Sequence, residues 1–251
     1  MSRRLPLALI GLAALTPVAA IATVQSQEGR QSGIVTPAEE AVRPPLDILR
    51  TRISVQGNVA TFRMRVSGRA GISRPTRTGR LAGSRVFSYV WPTTLDPGVV
   101  GFPADSGILA FAVTAHPDFD DTPLFDENSD GRLSNDGNLW HSHWVVLGRD
   151  ASCGPGALKV VDIPPRTRPR LPKTWPGLPL LIDSPGWSPV IRGHTVTVRV
   201  PFDDITPVKA TRFDGVTAAL RVNASLHTPL LCVANVFKTA SGDLSLPGIT
   251  D

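Results

Sequence analysis

The residues best equipped for chemistry lie between His116 and Trp144. His116, His141 and His143 offer three imidazoles, and Asp118, Asp120, Asp121, Asp126, Glu127, Asp130 and Asp136 offer carboxylates, against a single Arg132. Like charges crowded so closely repel unless a cation or basic groups neutralise them. The segment therefore predicts a bound metal ion, and its two halves predict different ions. Asp126-Glu127-Asn128-Ser129-Asp130-Gly131 carries the alternating oxygen donors and turn glycine of a calcium loop. An EF-hand would need a bidentate glutamate where Gly137 stands, so this is not an EF-hand. The expectation is calcium held by Asp126, Asn128 and Asp130. Asp136, Asn135 or the earlier Asp118, Asp120 and Asp121 would complete the shell. The plain alternative is a solvated loop of Asx turns.

The second half, Trp140-His141-Ser142-His143-Trp144, reads as a strand. Alternate residues then share a face, with His141 and His143 on one side and Trp140 and Trp144 on the other. The two imidazoles would stand about 6.5–7 Å apart along the strand, close enough to converge on zinc, copper or iron. His116 would be the third ligand, and Asp118 or Asp120 the carboxylate. The competing reading is a pair of histidines that face solvent or bond to nearby carboxylates. His194 and His227 read as surface residues. Nucleophilic catalysis has no support, because there is no G-x-S-x-G elbow. No phosphate-cradling glycine loop occurs either. A glycosidase needs only two carboxylates, and a calcium cage explains the crowding better.

These residues must be positioned by strands. The chain holds 24 prolines and 22 glycines in 251 residues, a composition of turns rather than helices. Ile53, Val55, Phe62, Met64 and Val66 alternate with polar residues about Gln56-Gly57-Asn58, which predicts a β-hairpin with one wet face. Further strands are expected near 85–90, 107–115, 139–147, 157–162, 195–200, 216–224 and 230–237. The Gly/Arg-rich segment 67–83 reads as a connection. The proline-rich stretch Pro164–Pro189 cannot be regular sheet, since each proline removes a ladder donor. It is expected to pack over a sheet edge or face. About nine or ten strands joined by long irregular loops predict an antiparallel β-sandwich over 46–251.

Residues 1–22 have the charged start, apolar run and Ala-x-Ala ending of a secretory signal peptide, and 23–45 read as a flexible tether. A retained anchor is the rival reading of the apolar run. No later segment is apolar enough to span a bilayer. Loss of Arg3 and Arg4 with the leader would lower the net charge from +5 to +3. The basic residues are scattered arginines, ten of them in Arg43–Arg85 against one Asp47. Without aromatic interleaving or a binding motif they read as a solvated face and not as a nucleic-acid site. The two cysteines, Cys153 and Cys232, predict one disulfide in an exported protein.

The opening Leu46-Asp47-Ile48, its hairpin through Val66 and the strand rhythm resemble the DOMON and family-9 carbohydrate-binding-module sandwiches. That resemblance implies a ligand-binding module for sugars or haem, often near calcium. In a haem module Met64 would pair with His141 or His143, although its place between Phe62 and Val66 is that of a core methionine. Trp91, Trp175 and Trp187 are candidates for stacking on a sugar, or for covering the core. Taken together, the sequence predicts an exported, periplasmic or extracellular, calcium-stabilised binding module for a carbohydrate or envelope component. The alternative is a transition-metal enzyme or metal-binding protein centred on His116, His141 and His143.

Overall fold

The computed structural model describes residues 33–119, 126–225 and 229–251. The expected signal peptide, Asp120, Asp121 and His227 lie outside the described residues. The described strands are β1 (Ile34–Val35), β2 (Ile48–Gln56), β3 (Val59–Val66), β4 (Arg85–Pro92), β5 (Ile108–Ala115), β6 (His141–Arg149) and β7 (Leu158–Val160). They continue with β8 (Ile182–Asp183), β9 (Val190–Arg192), β10 (Thr195–Pro201), β11 (Arg212–Phe213), β12 (Val216–Val222), β13 (Leu231–Thr239) and β14 (Gly248–Ile249). Every pairing among them is antiparallel. Among the described residues the helical pieces are 3-10 turns of three or four residues. The described residues are all-β, as the turn-rich composition predicts.

The hairpin β2–β3 forms in the expected register, with Gln56 opposite Val59 and Gly57 at φ +61° in the turn. With β1, β9 and β10 it makes a five-stranded sheet in the order β1-β2-β3-β10-β9. One face carries Ile53, Phe62, Met64, Val196 and Val198, all buried. The other presents Arg63, Arg65, Arg192 and Arg199, all exposed. The solvated arginine face is thus the outer face of this sheet.

The second sheet differs from the expected open half of a sandwich. Its order is β5-β4-β12-β13-β7-β6, with β5 pairing back onto β6 and β8 added to the β6 edge. Six strands therefore close into a barrel, and closure removes the free edges that an open sheet exposes. The five-stranded sheet packs against the outside of β4, β5 and β6, so these strands are buried on both faces. Phe87, Tyr89, Trp91, Leu109, Phe111, Trp144 and Val146 point out into the core shared with that sheet. Val86, Val90, Ala110, Ala112, Val145 and Leu147 point into the barrel. Two cores share one wall.

Residues 33–45, expected to be tether, belong instead to the compact unit Ser32–Asp251. The backbone of β1 pairs with Thr51 and Arg50 of β2. Arg43 lies over the rings of Phe87 and Phe237 at 5.1 and 5.5 Å. Cys153 and Cys232 form the predicted disulfide, with Cα atoms 5.4 Å apart. Disulfides persist mainly in oxidising compartments. The proline-rich stretch lies along the β6–β7 edge, where Leu181 N–H donates to Val161 O and Ile163 N–H to Pro179 O. No helix of the described residues is long and apolar enough to cross a membrane.

Candidate metal centre

Strand β6 sets the first two ligands. Its alternation sends Ser142, Trp144 and Val146 to the outer core, and His141 and His143 to the barrel side, opposite Thr114 and Ala112 of β5. His116 follows the last residue of β5, and its N–H donates to Gly137 O at 2.8 Å. That contact works only with glycine at 137. A Cβ there would lie 2.1 Å from Phe119 O, 2.5 Å from His116 O and 2.9 Å from His116 Nδ1.

The fourth residue is Glu127. Its neighbour Asn128 donates its N–H to Asp136 Oδ1 at 3.1 Å, and the Glu127 N–H bonds the same carboxylate. These bonds turn the Glu127 side chain inward. Among the described residues, His116, Glu127, His141 and His143 form a group whose ligand atoms all lie within 4.8 Å of one another. All four are buried, none more than 1% exposed.

The hydrogen bonds around the rings decide what this group can hold. Nδ1 of His116 lies 2.6 Å from Phe119 O, and Nδ1 of His141 lies 3.0 Å from Leu139 O. A backbone carbonyl only accepts, so both Nδ1 atoms carry the proton and both Nε2 atoms present lone pairs. Those two Nε2 atoms face each other at 3.1 Å. Two lone pairs at that distance repel unless a proton or a cation lies between them. Neighbouring ligands of a tetrahedral zinc are about 3.3 Å apart, given zinc–nitrogen bonds of about 2.0–2.1 Å. The 3.1 Å separation fits that geometry, as does the 3.6 Å from His141 Nε2 to Glu127 Oε2.

A supporting layer completes the arrangement. Ser184, just after β8, donates its hydroxyl to Glu127 Oε1 and lies 3.1 Å from His143 Nδ1, so one hydroxyl orients two ligands. Thr114 Oγ1 stands 3.3 Å from His141 Nε2. Thr114 meets the metal-facing nitrogen of His141 and is no outer partner, whereas Ser184, Phe119 O and Leu139 O hold the other nitrogens, which is how metal ligands are kept ready. Burial raises the Asp136 carboxyl above its ordinary range, opposed by the N–H groups it accepts. Its Oδ2 has no hydrogen-bond partner among the described residues.

The other expected ligands lie elsewhere. Asp118 accepts from Thr78 N–H and Gly79 N–H at 2.6 and 2.8 Å, which ties it to the Gly/Arg-rich connection. Asp126 accepts from the N–H groups of Asp130 and Gly131. Asn128 Oδ1 also accepts from Asp130 N–H, and Asp130 accepts from Arg132 N–H and the Asn135 side chain. The oxygens of the expected calcium loop are thus turned onto the loop's own donors. Asp120 lies outside the described residues. Met64 belongs to the outer core while His141 and His143 face the barrel, so no Met/His pair forms. Trp91 is fully buried and is no sugar platform, while Trp175 and Trp187 are partly buried against the outer core.

Sequence reasoning found His116, His141 and His143 but missed Glu127 and Ser184. Glu127 was hidden because it occupies a spacer position of the calcium-loop pattern, where no ligand is expected. The one available signal was its rarity, as the sole glutamate between His116 and His141. No family model, no curated protein and no solved structure matches the chain. What defines the molecule is a closed all-β barrel with a buried three-histidine, one-glutamate group in its wall.

Proposed function

We propose that this chain is an exported, transition-metal-dependent enzyme whose metal is held by His116, Glu127, His141 and His143. The observation that carries the reading is the pair of Nε2 lone pairs fixed 3.1 Å apart by carbonyl-bound Nδ1–H groups, beside a buried carboxylate. Three imidazoles and one carboxylate suit zinc, copper or iron, and suit calcium poorly, because calcium takes oxygen ligands. A metal so held would supply Lewis acidity only to a group that enters as a further ligand, since the four side chains by themselves fill a tetrahedral shell. The chain's own residues orient the ligands and keep bulk water away. Export is supported by the disulfide and by the leader-like residues 1–22.

The calcium-stabilised module for a carbohydrate or envelope ligand is the weaker reading. Its loop oxygens already accept hydrogen bonds from the loop itself, and its tryptophans are buried or half-buried.

The test is elemental analysis of the exported protein purified without chelator or tag-derived metal. We expect about one zinc, copper or iron per chain, one for the single group of four ligand residues among the described residues. Glu127→Gln and His141→Ala lower the metal content, and Asp126→Asn with Asp130→Asn leaves it intact. Stoichiometric calcium lost with the two aspartates would reverse the assignment. A fully metal-free protein, stable as such, would mean that a buried proton bridges the two imidazoles.

A further inference from the structure

The barrel has more room than a barrel of its size needs. Eight strands already give an interior that side chains just fill, and six should leave less. Here the interior holds a cavity of about 110 Å³. The reason lies in the inward residues. Ala112 on β5, Ser88 and Val90 on β4, and Val216 and Ala218 on β12 are all small, and they are cross-strand neighbours. The Ser88 hydroxyl is occupied in the wall, where it donates to Ala218 O.

The lining is apolar apart from Ser88, Thr239 and one polar cluster, where His116, His143 and Thr114 join it. Two of the four proposed metal ligands therefore border the cavity. Elsewhere the lining residues Leu220, Leu231, Val233 and Leu244 are only half-buried, and Val236 is 50% exposed. An apolar rim of that kind gives a path from solvent to the cavity.

We propose that this cavity is the substrate site of the metal centre, and that it takes a compact apolar molecule of about benzene's size with one lone-pair head group. The inference rests on the metal reading above. Apolar cavities of about 150 Å³ stay dry and accept benzene, so a slightly smaller one selects a single ring or a short branched alkyl group. Away from the histidines the wall offers the body of such a molecule only the Ser88 and Thr239 hydroxyls, the first of which already donates to Ala218 O. The head group is the part that would reach the metal beside His116 and His143, as a ligand added to the four side chains. Sugars and other polyhydroxylated ligands are excluded, because most of their hydroxyls would be buried without partners.

The experiment uses the full exported chain loaded with cobalt(II), whose visible spectrum reports its ligands, and titrates it with phenol and with benzene. We expect phenol to shift the cobalt spectrum saturably, and benzene to compete with phenol without shifting the spectrum itself. Ala218→Ile and, on the adjacent strand, Val90→Phe fill the cavity without touching a ligand. Each is expected to retain cobalt, which shows that it has folded, and to weaken phenol binding at least tenfold. Cobalt bound normally but indifferent to phenol overturns the proposal and leaves the metal reading standing. A phenol response unchanged in both filled variants also overturns it, since the head group would then reach the metal by another route. Failure to bind cobalt at all overturns the metal reading and this proposal together.

Discussion

At the scale of single residues, the buried polar groups carry the chain's character, and each has a traceable cost. Asp183, next to the Ser184 that orients two of the proposed ligands, is pushed up to about 6 by burial, against the pull of Thr174 and its own neighbour's N–H. In the folded protein it keeps its proton between about pH 4 and about pH 6, while the unfolded chain has released its own. The folded state binds more protons across that window, so stability falls as pH rises through it. Asp183→Asn should remove this slope and leave the mutant more stable than wild type at neutral pH, by on the order of 2–3 kcal/mol at most. Urea melts at several pH values read this directly, and an unchanged slope would assign the dependence to another group.

At the scale of elements, two local constraints hold the candidate centre and the barrel. Gly137 lets the acidic loop close against His116. Gly137→Ala places a methyl group against Phe119 O and His116 O, and these are backbone atoms that cannot swing aside. We expect a loss of about 1–3 kcal/mol in stability from overpacking, and a fall in metal affinity of roughly 10–100-fold through displaced His116. Calorimetry and metal titration of the variant check both. The second constraint is the barrel's seam. β13 and β7 meet only at Cys232 and Lys159, and the β12–β13 ladder carries two register shifts. The disulfide from Cys153 to Cys232 fastens β13 where its pairing is thinnest. Removing it with Cys153→Ala and Cys232→Ala should cost about 2–4 kcal/mol. Hydrogen exchange should rise first along β7 and β13, and uniform acceleration over all strands would contradict this placement.

At the scale of the whole molecule, the wall shared between the two cores is the organising feature. β4, β5 and β6 are read from both sides, by the five-stranded sheet outside and by the barrel inside. The segment before β2 is tied to this body by a buried ion pair, Lys238 Nζ to Asp47 Oδ1 at 2.6 Å, with Lys238 also donating to Pro37 O. Both side chains are nearly inaccessible. Lys238→Met leaves Asp47 buried without its counter-charge and should destabilise by about 3–5 kcal/mol, whereas Lys238→Met with Asp47→Leu should be close to neutral. A double-mutant cycle in chemical denaturation distinguishes the two outcomes.

Much of this was legible in the residues themselves. The hairpin about Gly57, the all-β class, the disulfide between the only two cysteines and the shared face of His141 and His143 follow from local periodicity and simple counting. Each depends on the backbone's two-residue repeat or on the absence of any other partner. Tertiary structure alone decided the rest. The alternation along β5 and β6 is the same in an open sandwich sheet and in a closed barrel, because it records which face is buried and not which strands meet. Ring closure comes from the distant β5–β6, β6–β7 and β7–β13 pairings. Glu127, not a neighbouring aspartate, joins the histidines because Asp136 and Ser184, brought from elsewhere in the chain, turn it inward. The cavity exists because small side chains spread over β4, β5 and β12 face one another across the barrel, an adjacency that no local pattern in the sequence encodes.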